Sequence, residues 1–312
     1  MTLIIIIVIV LILCAFIFCL SWRLFKFSCL RKKDTDEIEG AFAPYKDTVK
    51  KAQKWISQNT SETLEVISAE GLRLHAVLIP AKSPRGIVIA MHGYGSRYNI
   101  DFAPQAQFYH DMGYHLILPM QRSHYGSEGT YITFGVKERY DTKLWIYKAI
   151  ELYGKDMDIY LAGISMGAAT VMMTAQLSIP KNVKGIISDC GYTSPWDIIC
   201  CVAKRDYNIP AFPLAYITNF FAKHIGKFDL KSASAKEAMA VTHLPVLFIH
   251  GTEDKFVPDY MTEENYKVCR NFKEKLLVSG AGHAQAYVVN PEAYEKAVKS
   301  FLEHCRQEKN RK

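Results

Sequence analysis

Hydrophobic positions along the chain fall into three regimes. Residues 2–20 form one apolar run without a charge. As a helix this run measures about 28 Å against a hydrocarbon core of about 30 Å, so it predicts a single transmembrane helix within an anchor spanning residues 1–22. Residues 23–60 are polar, beginning with a basic juxtamembrane cluster and ending in a lead-in helix whose Val49, Ala52, Trp55 and Ile56 share one face. From residue 61 the period changes to two, and residues 63–67 and 72–79 alternate around Glu70-Gly71 as in an antiparallel hairpin. Short β-rich runs then recur at 86–91, 115–119, 159–164, 183–188, 245–249 and 275–278, most of them separated by helical patterns. That alternation predicts an α/β domain over residues 61–306, with a mostly parallel, doubly wound sheet and a polar tail over 307–312.

A length of 312 residues fits one such domain with accessories, and 49% hydrophobic content argues against disorder. The 38 basic and 31 acidic residues give a net charge of +7, and much of the excess flanks the apolar run. Arg23, Lys26, Arg31, Lys32 and Lys33 follow it, whereas no Lys or Arg precedes it. This is a stop-transfer flank rather than a nucleic-acid surface. By the positive-inside rule it predicts an external N-terminus and a cytoplasmic domain, with Asp34, Asp36, Glu37 and Glu39 counting little. Trp22 fits the aromatic belt at the membrane surface, and without a small-residue cleavage site the run reads as an uncleaved anchor. Of eight cysteines, Cys14, Cys19 and Cys29 lie in or beside the anchor. The odd remainder has no C-x-x-C spacing, which predicts free thiols in a reducing compartment. With no phosphate-loop or dinucleotide motif and no metal-ligand spacing, no cofactor and no metal are expected.

Chemistry centres on residues 158–174, DIYLAGISMGAATVMMT. A short apolar run enters Gly163-Ile164-Ser165-Met166-Gly167 and leaves at helical spacing, which reads as strand, sharp turn, helix. Ser165 stands at the apex, and glycine flanks it because side chains at those positions would collide in so tight a turn. A serine presented in this way is a candidate nucleophile. Residues 87–96, IVIAMHGYGS, give a buried strand ending in a Gly-containing loop, at the carboxyl edge where a doubly wound sheet places its site. The N–H of Tyr94 and that of Met166, the residue after the serine, form a candidate two-donor hole for a tetrahedral oxyanion.

The run LPMQRSHYGSEG at 118–129, followed by TYITFGVKERYD, adds a resemblance. With these motifs the chain resembles the serine α/β hydrolases over most of residues 61–306, in particular membrane-anchored bacterial members of esterase, lysophospholipase or serine aminopeptidase type. Those proteins carry a D-Q-R-x-H-G-x-S-x-G turn, from which this chain departs at Met120, in place of Asp, and at Tyr125, in place of Gly. The fold implied is the α/β-hydrolase fold, with nucleophile, acid and base in that chain order. Asp254, in HGTEDKFVP, is the candidate acid, ahead of its neighbour Glu253 and the earlier Asp189. His283 is the candidate base, in the small-residue loop KLLVSGAGHAQ with Gly280 and Gly282. Residues from about 191 to 243 form an insertion that in this superfamily makes a helical cap. Its Ile217, Phe220 and Phe221 are the candidate acyl-chain contacts.

Ser165, Asp254 and His283 together predict a serine hydrolase that cleaves a carboxylic ester or thioester of a small, lipid-like acyl substrate through an acyl-enzyme. Amidase or aminopeptidase activity and acyl transfer to an alcohol would use the same three residues. A non-catalytic binding protein on this fold would have a broken triad, and here all three members are present.

Overall fold

The computed structural model describes all residues except Asp36, Ile209 and Lys312, and all side chains except those of Asp206, Tyr207 and residues 308–312. The chain begins with α1 (Thr2–Cys29), passes through a 3₁₀ turn (Gly40–Tyr45) and enters α2 (Lys46–Asn59). The alternating stretch forms β1 (Glu62–Ile67) and β2 (Arg73–Ile79), paired antiparallel with Leu64 opposite Ala76. Then follow β3 (Gly86–Met91), α3 (Tyr98–Asp101), α4 (Ala103–Asp111), β4 (Tyr114–Pro119), α5 (Glu138–Tyr153), β5 (Ile159–Ile164), α6 (Met166–Thr174) and β6 (Val183–Asp189). The remainder is α7 (Pro195–Tyr207), α8 (Leu214–His224), α9 (Ala235–Val241), β7 (Val246–Gly251), α10 (Asp259–Val268), β8 (Lys273–Val278), α11 (Ala286–Val289) and α12 (Pro291–Arg311).

The strands join one sheet in the order β1-β2-β4-β3-β5-β6-β7-β8, in which β4, β3 and β5 through β8 run parallel and β2 is antiparallel to both of its neighbours, β1 and β4. Strands β3, β4, β5 and β7 are buried along their whole length, which explains why they read as continuous apolar runs rather than alternating ones. Two apolar cores flank the sheet. One gathers Trp145, Ile146, Val171 and Met172 from α5 and α6, and the other gathers Val49 and Ile56 from α2 with Tyr294, Val298, Phe301 and Leu302 from α12. The α12 positions recur every three or four residues, so one stripe of that helix is buried. Of the polar tail expected over 307–312, the backbone is helical through Arg311, and Lys312 lies outside the described residues.

The N-terminal helix does not stop at residue 22. It continues unbroken to Cys29, and its last turns bury Ser21, Phe25 and Cys29 against the domain. Phe221 of α8 receives Phe18 and Trp22 edge-on, with ring centroids 4.9 and 5.0 Å away, and the Arg31 N–H donates to the Thr130 carbonyl at 2.8 Å. Such edge-to-face pairs add about 0.5–1.5 kcal/mol each beyond burial. Residues 23–31 are therefore packed structure, not a detached linker. Within the insertion expected at about 191–243, α7 and α8 lie over the carboxyl ends of the strands, whereas α9 packs beside α6 and α10. Ser194 starts α7 by accepting the Asp197 N–H at 3.0 Å, with Pro195 in the first turn where no helical N–H is needed.

Candidate active site

The turn after β5 is as tight as its sequence demands. Ser165 adopts φ 55° and ψ −115°, a conformation that costs about 1–3 kcal/mol and persists only where its surroundings enforce it. A Cβ at Gly163 would lie 2.3 Å from the Gly167 carbonyl carbon, and one at Gly167 only 1.8 Å from the Met91 carbonyl oxygen. Glycine is required at both positions by close backbone approach. The Ser165 N–H is tied to the Asp189 carbonyl at 2.8 Å, which fixes the apex to β6.

From that apex the Ser165 hydroxyl donates to His283 Nε2 at 2.8 Å, and His283 Nδ1–H donates to Asp254 Oδ2 at 2.7 Å. This geometry sets the tautomer: Nδ1 carries the proton and Nε2 is free to accept one. Asp254 is held from below by the Phe256 and Val257 N–H groups, which donate to its Oδ1 at 2.8 and 2.9 Å. Burial pushes its carboxyl upward, but hydrogen bonds and charge from His250 and His283 hold it well below the usual carboxylate range. Neither rival acid takes its place. Glu253 is exposed, and Asp189 is buried in β6 with its carboxyl pushed up to about 7 by burial.

Sequence reasoning missed His250, whose ring is fully buried and lies 3.3 Å from the same Asp254 oxygen that receives His283. It also touches Thr262 Oγ1 at 2.7 Å and the Val257 carbonyl at 2.9 Å. Its place at the end of the VLFIH run, four residues before Asp254, is the signal that marks it. The nearest grouping of metal-capable atoms is Cys190, Asp254 and His283, all within 4.8 Å of one another. Its nitrogen and oxygen are already engaged with each other, and burial, followed by the charges of Asp189 and Asp254, keeps the Cys190 thiol protonated.

The loop after β3 is clamped residue by residue. The Gly93 N–H donates to buried Asp101 Oδ2 at 2.6 Å, and the Gly95 N–H donates to His124 Nε2 at 3.0 Å. The Tyr94 N–H between them makes no hydrogen bond among the described residues. Met166 opens α6, so its N–H has no carbonyl one turn back within the helix. His124 Nδ1 donates to the Arg122 carbonyl at 2.8 Å, and His92 Nδ1 donates to the Gly93 carbonyl at 2.8 Å while its Nε2 accepts the Gln121 N–H at 3.0 Å. Burial lowers the pKa of both rings, so each stays neutral and can both donate and accept. The QRSH turn is therefore the backing of this loop. Asp101 is a further residue that sequence reasoning did not single out.

Comparison with solved structures decides the architecture. An esterase of Pyrococcus furiosus, Pf2001, superposes with a TM-score of 0.64 at 22% identity, over 87% of this chain and 99% of that one. Est1E of Butyrivibrio proteoclasticus gives 0.56 at 19%, over 79% and 100%, and a serine hydrolase homologue of Coxiella burnetii gives 0.52 at 20%, over 77% and 97%. The chain has the α/β-hydrolase fold. Among curated sequences, the uncharacterized protein YqkD of Bacillus subtilis is 27% identical over 198 residues, which is 62% of this chain and 64% of that one. The chain thus spans less than two thirds of that relative's length. No family model matches.

In this α/β-hydrolase fold the serine opens onto a cavity of about 590 Å³. Ile198, Val202, Leu214, Ala215 and Thr218 from α7 and α8 line it, with Phe134 and Phe256. Leu24, Phe27 and Ser28 of α1 complete the wall, so the N-terminal helix is part of the site. Tyr125, one of the two departures from the motif, also lines this cavity. The expected acyl contacts Ile217, Phe220 and Phe221 do not. Phe221 is 5% exposed and turned onto α1, Ile217 packs against the core, and Phe220 points outward at 49% exposure. The reason is long-range: Phe18, Trp22 and Phe25 cover the far end of the inward face of α8, leaving only its first turns to the cavity.

Proposed function

We propose that the protein is a membrane-anchored serine hydrolase that cleaves carboxylic esters or thioesters with an apolar acyl chain. The observation that carries this reading is the hydrogen-bonded line Ser165–His283–Asp254, whose serine and histidine line a cavity bounded by apolar side chains of α1, α7 and α8 and, on one side, by charged residues between Lys32 and Glu39. Ser165 Oγ attacks the acyl carbonyl carbon as His283 Nε2 takes its proton, and Asp254 stabilises the imidazolium that forms. The carbonyl oxygen, now an oxyanion, accepts the N–H groups of Tyr94 and Met166, each worth about 3–4 kcal/mol in the transition state. Collapse breaks the bond to the leaving group, which departs with the proton from Nε2. Water then attacks the acyl-enzyme with His283 again as base, releasing the acid and restoring Ser165.

The exposed apolar stretch of α1 supports an anchor, and the five basic residues after it support a cytoplasmic domain. All eight cysteines are free, in keeping with a reducing compartment. Hydrolysis of p-nitrophenyl esters of increasing chain length, beside aminoacyl anilides, tests the reaction. Ester turnover that favours medium or long chains is expected, and turnover of anilides alone would refute ester specificity.

A further inference from the structure

The outer face of α8 is out of keeping with a surface that meets water. Phe212, Tyr216 and Phe220 are 72%, 50% and 49% exposed. Tyr216 and Phe220 stand one turn apart on the same face of α8, and the Phe212 ring, in the turn that precedes the helix, extends that face by lying 5.8 Å from the Tyr216 ring. Aligned, exposed aromatic side chains of this size mark an interaction surface.

The stripe has a neighbour that says what covers it. Phe220 lies 6.0 Å from Phe221, Phe221 lies 4.9 Å from Phe18, and Phe18 ends the apolar surface that starts at Leu3 of α1. The exposed apolar faces of α1 and α8 therefore meet over one buried ring, Phe221, which Phe18 and Phe220 both touch. Exposed Arg23 and Lys26 follow within two turns of Phe18, and the Lys26 ammonium sits 5.3 Å from the Trp22 ring. Trp and basic side chains at the end of an apolar run belong at headgroup depth. At 1.5 Å per residue, Phe18 to Trp22 spans only about 6 Å, so α8, packed against this stretch, lies where interfacial amphipathic helices lie.

We propose that α8 is a second membrane contact: the bilayer surface that α1 enters also receives the Phe212–Tyr216–Phe220 stripe. The inference rests on α1 spanning the membrane. It sets the wall formed by α1 and α8 against the lipid, so the substrate class that fits is an amphiphilic single-chain ester taken from the bilayer rather than from solution.

The test uses the full chain in phosphatidylcholine/phosphatidylglycerol vesicles containing a phosphatidylcholine with a photoactivatable diazirine on its acyl chain. After irradiation, label is expected on α1 and on the tryptic peptide ending at Lys223. In the triple variant Phe212→Ser, Tyr216→Ser, Phe220→Ser, label on that peptide should fall about tenfold or more while label on α1 persists. Label confined to α1 in the wild type would overturn the proposal alone, whether or not the variant folds, and equal labelling of wild type and variant peptides would do the same. Absence of label from both helices would overturn the spanning reading together with it. None of these readouts depends on ester hydrolysis, which is scored separately.

Discussion

The Tyr94 hydroxyl donates to the Ser28 carbonyl at 2.9 Å, so the residue proposed to offer its N–H to the oxyanion also holds the end of the N-terminal helix. Its ring stacks on Phe134 with centroids 5.2 Å apart. Loop geometry and helix docking thus meet at one side chain, but they rest on different bonds. Tyr94→Phe keeps the N–H and the stacking, and should cost about 1 kcal/mol of stability with kcat within a fewfold of wild type. Asp101→Ala releases the Gly93 N–H and the Ser96 hydroxyl, and should lower kcat by about 100-fold with an intact fold. Steady-state kinetics beside thermal melts separate the two, and an Asp101→Ala enzyme with wild-type kcat would show that the loop needs no such clamp.

Much of this arrangement was legible in the sequence for local reasons. A tight turn writes itself as Gly163 and Gly167, and parallel strands buried on both faces write themselves as continuous apolar runs. The surroundings of Asp254 were legible only in part, because His250 reads as the end of a strand until its side chain is seen to reach the carboxylate. Which residues line the cavity was not legible. Phe221 has the helical phase of a cavity residue, and only the docking of Phe18 and Trp22, some two hundred residues earlier in the chain, removes it from the cavity.

His250 and Asp254 make stability depend on pH in two windows. Burial pushes the Asp254 carboxyl up, yet its histidine partners hold it well below the ordinary value. Its contribution is therefore full above the unfolded pKa of about 4 and is lost as pH falls from there toward the folded value. Burial pulls the His250 ring down, yet Asp254 and the Val257 carbonyl hold its pKa above the ordinary value. That contribution is full below about 6.5 and is lost as pH rises through the folded value. His250→Gln should cost about 1–3 kcal/mol at neutral pH and abolish the alkaline loss while leaving the acid loss in place. Melting temperatures from pH 3 to 9 check this, and superimposable alkaline limbs would contradict it.

Acyl specificity should follow the cavity wall. Each methylene removed from water is worth about 0.8 kcal/mol, so kcat/KM should rise about three- to fourfold per methylene until the cavity is filled. Val202→Asn places an amide on that wall and should flatten the series while leaving acetate hydrolysis within about twofold. Phe220→Ser should leave the series with soluble esters unchanged. A flattened series in Phe220→Ser but not in Val202→Asn would return Phe220 to the acyl site.

The proposed cytoplasmic orientation rests on the charges at positions 23 to 33. Protease added to intact cells should leave the domain whole until the cells are lysed. Loss of the domain without permeabilisation would place it outside.

Covalent labelling at Ser165 tests the proposed chemistry most directly. A fluorophosphonate needs a serine oxygen made nucleophilic by an adjacent base, so the wild-type protein should be labelled at a single tryptic peptide containing Ser165. Asp254→Asn should slow labelling by several orders of magnitude, about 10⁴-fold in a comparable triad. Ser165→Ala, folded as judged by circular dichroism, should take up no label and hydrolyse no ester. Label retained in Ser165→Ala, or wild-type protein that stays unlabelled, would contradict the assignment of Ser165 as the nucleophile.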